Sequence, residues 1–159
     1  MINTLISVNL NILNEYEDWK RANKDWNVSD YLRLNYNMNT AIAFGKLYFP
    51  DFIEKDGCVI LGFRYDESTF LAWKKQFNND IKGIEFMCNF FEVKDYFDYT
   101  KDNYESLDAY NIALDEFAKI LKKSWEINLK LLYPEREMIV DVWDDYNTTR
   151  ITLFTNISN

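Results

Sequence analysis

The longest regular pattern in the chain is an apolar stripe at helical spacing between residues 105 and 132. Apolar side chains recur there every three or four residues, as on the buried face of an amphipathic helix: Tyr110, Ala113, Leu114, Phe117, Ile120, Leu121 and Ile127. Acidic residues lie at the start of the stripe and lysines lie further along, which is the distribution that the helix dipole favours. Pro134 follows, and the residue before a proline is pushed out of helical geometry. The pattern predicts one long helix around 105–132.

Shorter apolar runs predict strands. Asp56 and Gly57 form a tight-turn pair between residues 52–53 and the unbroken apolar run 58–61. This arrangement predicts a hairpin whose second strand is covered on both faces. The remaining strand candidates are residues 89–93, 138–143 and 150–154.

Other segments predict shorter helices. Residues 39–49 are largely apolar, begin with residues that can cap a helix and end before Pro50, which predicts a mostly buried helix. Asp66 is placed to cap a further helix. Residues 5–13 fit both a helix and a strand. Helical spacing explains more of the first twenty residues, so we expect a helix there and leave the strand open.

Together these elements predict a single α+β domain over residues 1–159. We expect a mostly antiparallel sheet of about four or five strands with helices packed on one face. A length of 159 residues fits one domain, and no repeat or linker divides the chain. A hydrophobic share of 48% and an aromatic share of 18% exclude intrinsic disorder. No apolar run approaches the length of a bilayer span.

Two features of the sequence indicate a reducing, cytoplasmic location. Cys58 and Cys88 are isolated thiols within apolar runs, so we expect both to be buried and reduced. Residues 1–6 lack the positive segment and the small-residue cleavage site of a signal peptide. The expected location is therefore the cytoplasm.

The composition excludes the commonest catalytic arrangements. The chain has no His, which excludes Ser-His-Asp and Cys-His catalysis and His-containing zinc sites. Gly57 and Gly62 have the spacing of a phosphate-binding loop, but Phe63 and Arg64 follow where Lys and Ser or Thr are required. The GxSxG and GxGxxG motifs are also missing from the sequence. We therefore expect a protein without enzymatic activity, cofactor or metal ion.

One pattern keeps an enzymatic alternative open. Asp51, Glu92 and Lys94 resemble the PD-(D/E)xK nuclease pattern, in which an Asp and a Glu hold a metal ion and the Lys stabilises developing charge. The two halves of the pattern are far apart for that family, and a solvated charge pair at a strand end also explains Glu92 and Lys94. A second set of carboxylates is a minor candidate for Mg²⁺ or Ca²⁺, although Asp is common in turns: Asp141, Asp144 and Asp145.

The acidic charge is concentrated in one segment. The net charge is −8, and residues 92–116 hold eight acidic side chains against two lysines. Carboxylates alternate there with tyrosines, and such a surface attracts a cationic partner and anchors it. The predicted partner-binding residues are Glu92, Asp95, Tyr96, Asp98, Tyr99, Asp102, Tyr104, Glu105 and Asp108. We expect a basic protein as partner, because the same charge opposes binding to nucleic acid and to anionic membranes.

Folding alone explains only part of this segment. Asp102, Glu105 and Asp108 also fit the start of the long helix, where carboxylates complement the helix dipole. Asp95 and Asp98 precede that helix in an aromatic loop, and the dipole does not account for them. These two residues therefore fit a binding role and a merely solvated loop equally well.

The chain is small, acidic and α+β, and it has no catalytic His and no cofactor motif. In these features and in its acidic segment 92–116 it resembles the immunity proteins of bacterial polymorphic-toxin and contact-dependent-inhibition systems. The resemblance implies tight, non-enzymatic, neutralising binding to a cognate toxin, often a basic nuclease. Two alternatives stand beside it. One is the metal-dependent nuclease described above, and the other is a structural subunit that oligomerises through its aromatic surface. The oligomeric state is left open.

Overall fold

The computed structural model describes residues 3–13, 15–146 and 148–156, so residues 1 and 2 of the N-terminal segment discussed above lie outside that part. The helices are α1 (Tyr16–Ala22), α2 (Val28–Asn35), α3 (Met38–Tyr48), α4 (Glu67–Gln76), α5 (Ile81–Asn89) and α6 (Leu107–Leu132). The strands are β1 (Phe52–Lys55), β2 (Cys58–Leu61), β3 (Phe91–Glu92), β4 (Met138–Asp144) and β5 (Thr149–Thr155). Short 3-10 turns cover Leu10–Ile12, Gly62–Arg64, Val93–Tyr96 and Asp98–Asn103. The fold is therefore α+β, as the sequence pattern predicts.

The long helix α6 confirms the prediction from the apolar stripe. Ser106 caps it by accepting a hydrogen bond from the Ala109 backbone N–H at 3.1 Å, and the helix ends shortly before Pro134. The buried residues on α6 are Tyr110, Leu114, Ala118, Leu121, Trp125 and Leu129. Trp125 lies at the centre of the core and donates its indole N–H to the Leu47 carbonyl at 2.7 Å. Within the described residues, no helix is both long enough and apolar enough to cross a membrane.

The predicted hairpin is also confirmed. Strands β1 and β2 pair antiparallel, with Lys55 opposite Cys58. Asp56 and Gly57 connect the strands with positive φ angles of 50° and 85°, the backbone geometry for which an Asp-Gly pair is suited. All residues of β2 are buried, as expected of a strand that is covered on both faces.

The two cysteines lie in a second cluster of buried residues beside the main core. Cys58 belongs to β2 and Cys88 to α5, and both pack with Ile60, Phe70 and Ile84. Both thiols are buried, as the sequence predicts, and they do not form a disulfide with each other. Burial raises the pKa of each thiol to about 11.

The strands form two small sheets, and the expected single sheet of four or five strands is wrong. Strands β1 and β2 form one sheet, and β3, β5 and β4 form the other with β5 in the centre. The expectation of helices on one face is also wrong. Ile151 and Leu153 of β5 belong to the core built around α6. On the other face, the Thr152 hydroxyl donates to the Phe86 carbonyl of α5 at 2.7 Å, and the Phe154 ring lies 5.9 Å from the Phe86 ring.

Two buried polar side chains of α5 join the two sheets. Glu85 and Asn89 lie one helical turn apart and are fully buried. Glu85 accepts one backbone N–H from each sheet, from Val59 at 2.7 Å and from Thr155 at 2.5 Å. Asn89 accepts a further N–H from β2 and donates to one carbonyl of each sheet. The backbone groups of β2 and β5 that could pair with another strand are therefore bonded to side chains of α5 instead.

The N-terminal third departs most from the prediction. Residues 5–13 form neither the expected helix nor a strand, apart from one 3-10 turn, and α1 begins only at Tyr16. Helix α2 was not predicted, although Asn27 and Asp30 form a complete capping box at its start. Helix α3 matches the predicted range 39–49 closely, but none of its residues is buried. The expectation of a mostly buried helix is wrong, because only one side of α3 packs against the core.

The expected strand at residues 89–93 is also largely wrong. Only Phe91 and Glu92 pair with β5, while the preceding residues end α5 and the following ones form a 3-10 turn. Helix α5 was not predicted. Asp80 caps it by accepting a hydrogen bond from the Gly83 backbone N–H at 2.9 Å.

Candidate functional site

The acidic segment 92–116 lies at the surface, and its first half consists of turns. The chain leaves β3, forms the 3-10 turns Val93–Tyr96 and Asp98–Asn103, and then enters α6. Phe97 joins the two turns, and its ring lies 4.9 Å from the Phe117 ring of α6. The turns are therefore anchored to the core by an aromatic contact, while most of their charged side chains remain in solvent.

Three carboxylates of the segment are engaged within the fold. Glu92 lies 2.9 Å from the Lys94 ammonium and 3.1 Å from the Arg150 guanidinium. The hydrogen bond from Lys94, supported by Arg150, holds the pKa of Glu92 below its usual range. Asp115 accepts a hydrogen bond from a β5 hydroxyl at 2.6 Å, and Glu116 accepts one from a backbone N–H of the N-terminal segment at 3.0 Å. The fold therefore fixes the position of all three groups, and Lys94 and Arg150 balance the charge of Glu92.

Five further carboxylates of the segment are exposed, and we call them the acidic patch: Asp95, Asp98, Asp102, Glu105 and Asp108. Among the described residues, none of the five takes part in an ion pair or in a side-chain hydrogen bond. Many acidic residues elsewhere on the surface have a cationic partner: Asp51 with Lys46, Asp56 with Lys74, and Glu67 with Lys55. Lys94 lies near enough to act on Asp95 and Asp98 but is itself paired with Glu92, and Lys101 is the other lysine of the segment. Five carboxylates against these two lysines make the acidic patch a local excess of negative charge.

The three tyrosines that the sequence assigns to partner binding differ in exposure. Tyr99 is fully exposed. Tyr96 is 42% exposed, and its ring lies 5.3 Å from the Phe91 ring. Tyr104 is half-buried, with its ring 5.5 Å from the Tyr110 ring. Tyr99 and Tyr96 thus leave ring surface accessible beside the acidic patch.

A groove of about 630 Å³ opens beside Tyr104, and we call it the tyrosine groove. Three tyrosines and one glutamate line it, with smaller polar side chains between them: Glu15, Tyr31, Tyr36 and Tyr104. The Tyr31 and Tyr36 hydroxyls lie 3.5 Å apart, and burial, reinforced by this contact, raises the pKa of Tyr31. Tyrosine ring faces next to a carboxylate suit a cationic group.

Sequence reasoning missed the contribution of α1 and α2 to this groove. Glu15, Tyr31 and Tyr36 lie far upstream of segment 92–116, and no local pattern indicates that they meet Tyr104. The capping box at residues 27–30 was the one available signal. It would have predicted α2 but not the surface against which α2 packs.

The two carboxylates of the nuclease alternative form ion pairs with different cations. Asp51 lies 2.6 Å from the Lys46 ammonium, while Glu92 is held between Lys94 and Arg150. In the second acidic set, Asp145 is paired with Arg150. In the part of the chain that the structure describes, no three His, Cys, Asp or Glu side chains lie close enough together to hold a metal ion.

Comparison with known protein families, with curated proteins and with solved structures finds no match for this chain. Any functional conclusion therefore depends on the chemistry of the acidic patch, the tyrosine groove and the exposed surfaces around them.

Proposed function

We propose that this protein is a non-enzymatic, cytoplasmic binding protein that neutralises a basic protein partner through the acidic patch, as an immunity protein neutralises its toxin. The observation that carries the proposal is a run of five exposed carboxylates, none of which is in an ion pair among the described residues. Like charges that are held together repel one another and weaken the folded state. A cationic surface that covers them relieves this repulsion and gains electrostatic complementarity.

The tyrosine groove offers a place for one cationic side chain of that partner. A planar guanidinium can stack on the Tyr36 or Tyr104 ring while its charge faces Glu15. Tyrosine and arginine are among the residues that most often carry binding energy at interfaces. In this proposal the acidic patch accelerates the encounter, and the tyrosine groove slows dissociation.

The proposal is tested by affinity capture from a lysate of the source organism, followed by binding kinetics with the basic protein that is captured. The test variant replaces Asp95, Asp98 and Asp102 with Asn. We expect it to associate about tenfold more slowly at low salt, because these carboxylates steer the encounter. Raising the salt should slow the wild-type protein towards the rate of the variant.

A matched control replaces Asp18, Asp51 and Asp144 with Asn, which removes the same charge from other exposed positions. We expect the control to associate within about twofold of the wild-type rate, because charges outside the patch are screened from the interface. Association that is insensitive both to salt and to the change in the acidic patch would remove the patch as the binding site.

One observation favours a second candidate function, that of an oligomerising structural subunit. Met38, Ile42 and Phe49 follow one side of α3 and its C-cap, and they are 75%, 66% and 67% exposed. A row of exposed large apolar side chains is typical of an interaction surface. Light scattering distinguishes the two functions. An oligomer that Ile42→Lys converts to a monomer would favour the subunit, whereas a wild-type monomer at high concentration would exclude it.

A further inference from the structure

The tyrosine groove offers hydrogen-bond acceptors, and none of the described residues that line it is a lysine or an arginine. The Asn35 amide donates to the Tyr31 carbonyl at 2.8 Å, and its oxygen remains available as an acceptor. The Thr100 hydroxyl donates to the Phe97 carbonyl at 2.8 Å, so it can only accept a hydrogen bond from a ligand. The lining therefore suits a ligand with several N–H donors.

Glu15 supplies the negative charge of the groove. Its side chain is exposed, does not cap α1 and takes part in no ion pair among the described residues. Burial is the main cause of the raised pKa of Tyr31, and the charge of Glu15 adds to it, so the carboxylate lies near enough to act on the Tyr31 hydroxyl. The groove thus combines an unpaired carboxylate with neutral acceptors.

Two accessible tyrosine rings give the groove flat surfaces. Tyr36 is 50% exposed and Tyr104 is half-buried, whereas Tyr31 is only 4% exposed. The Tyr36 ring meets the Tyr31 ring edge to face at 5.8 Å, and the Tyr104 ring meets the Tyr110 ring in the same way at 5.5 Å. Because each ring is already held by a neighbour, it loses little freedom when a planar group stacks on it.

We infer that the tyrosine groove selects an arginine side chain of the partner over a lysine side chain. A guanidinium presents five N–H donors in a rigid plane, stacks on aromatic rings and is weakly hydrated. A lysine ammonium is a strongly hydrated point charge, so it gains less from the rings and from the neutral acceptors. This inference rests on the proposed function, because it takes the partner of the acidic patch to carry the arginine.

The test uses two blocked amino acids of equal charge as probes, N-acetyl-arginine methylamide and N-acetyl-lysine methylamide. Binding is followed by NMR titration of the backbone amide signals of Asn35, Tyr36 and Thr100, which line the groove. We expect the arginine probe to bind about 3- to 10-fold more tightly than the lysine probe, because stacking and one further hydrogen bond favour it. Free arginine should bind no more tightly than the blocked probe. If free arginine binds at least about tenfold more tightly, the groove is a site for the amino acid itself and the inference is wrong.

Three variants and a control locate the probe. Glu15→Gln removes the charge of the groove and should weaken the arginine probe about 3- to 5-fold. The control Glu17→Gln removes an exposed charge of α1 that does not line the groove, and it should change the affinity by less than about twofold. Tyr36→Leu removes a ring and should reduce the preference for arginine to less than about twofold. Tyr36→Phe keeps the ring and should keep the preference.

The inference is overturned if the arginine probe does not shift these signals, or if the two probes bind the wild-type protein equally well. Either result leaves the acidic patch in place, because the patch is tested by association kinetics with the captured protein. The variant in which Asp95, Asp98 and Asp102 are replaced with Asn should retain the preference for arginine, since the charges of the patch act on both probes alike. A failure of the patch as a binding site and a failure of the groove are therefore distinguishable.

Discussion

Asn89 provides the sharpest test of how this fold is held together, because its side chain is bonded to both sheets. Its amide oxygen accepts the Leu61 N–H at 2.7 Å. Its amide nitrogen donates to the carbonyls of Val59 at 2.9 Å and Leu153 at 3.1 Å. All four residues are fully buried, so water cannot reach these groups unless the core opens. Asn89→Ala would therefore leave one N–H and two carbonyl groups without partners.

The expected loss of stability follows from these contacts. An unsatisfied buried backbone group costs about 1–3 kcal/mol, and the volume vacated by the amide adds to that. We expect Asn89→Ala to lower the free energy of unfolding by about 3–5 kcal/mol, a large part of the roughly 5–15 kcal/mol that such a protein has in total. Asn89→Asp keeps the size but turns a carboxylate oxygen towards two carbonyl oxygens. It should be strongly destabilising at about pH 7 and less so at about pH 4, where the carboxyl takes up a proton.

The measurement is urea unfolding followed by tryptophan fluorescence, to which the buried Trp125 contributes. Asn39→Ala, at an exposed position of α3, serves as the control and should change stability by less than about 0.5 kcal/mol. A loss of less than about 1 kcal/mol for Asn89→Ala would refute the reasoning. Such a result would mean that the facing edges of β2 and β5 find other partners.

Two further predictions concern buried ionisable groups. Burial raises the pKa of Glu85 above its ordinary value of 4.5, so the folded state holds this proton more tightly than the unfolded state does. The stability of the wild-type protein, measured relative to Glu85→Gln, should therefore fall as the pH rises above 4.5. A difference that does not change with pH in a series of urea unfolding curves would contradict this. Cys58 and Cys88 should react slowly with a thiol reagent at about pH 8, because both are buried with a pKa of about 11. We expect the rate in the native protein to be at least about 100-fold lower than the rate in urea. Rapid labelling of either thiol in the native protein would show that the buried cluster opens readily.

The elements that the sequence predicts correctly are those with a strong local signal. Helix α6 has a long apolar stripe with a cap and a proline beyond its end, and the Asp56-Gly57 turn specifies the hairpin. Helix α5 lacks such a signal. Its buried residues include Glu85 and Asn89, which are polar and are normally found at the surface. Their burial is favoured only because distant strand edges offer hydrogen bonds, and a local pattern cannot contain that information.

The acidic segment shows the same limit at the candidate site. Its charge predicts exposure, and the structure places all five carboxylates of the acidic patch in solvent. The sequence does not distinguish these five carboxylates from Glu92, Asp115 and Glu116. The latter three are bonded to β5 and to the N-terminal segment as well as to the neighbouring Lys94, and the distant partners cannot be read from the local sequence. Which charges are free for a partner is therefore decided by tertiary contacts.

The way in which the acidic patch is held bears on how tightly it can bind. The turn Asp98–Asn103 is anchored at both ends, by Phe97 packed 4.9 Å from Phe117 and by Tyr104 packed 5.5 Å from Tyr110. A flexible acidic loop would lose about 1–2 kcal/mol of conformational entropy for each backbone residue ordered on binding, whereas a turn that is already fixed loses little. The same charges on a flexible tail would attract a basic partner equally fast but would release it sooner. The anchored turn therefore favours a long-lived complex in one orientation, which the proposed neutralising function would require.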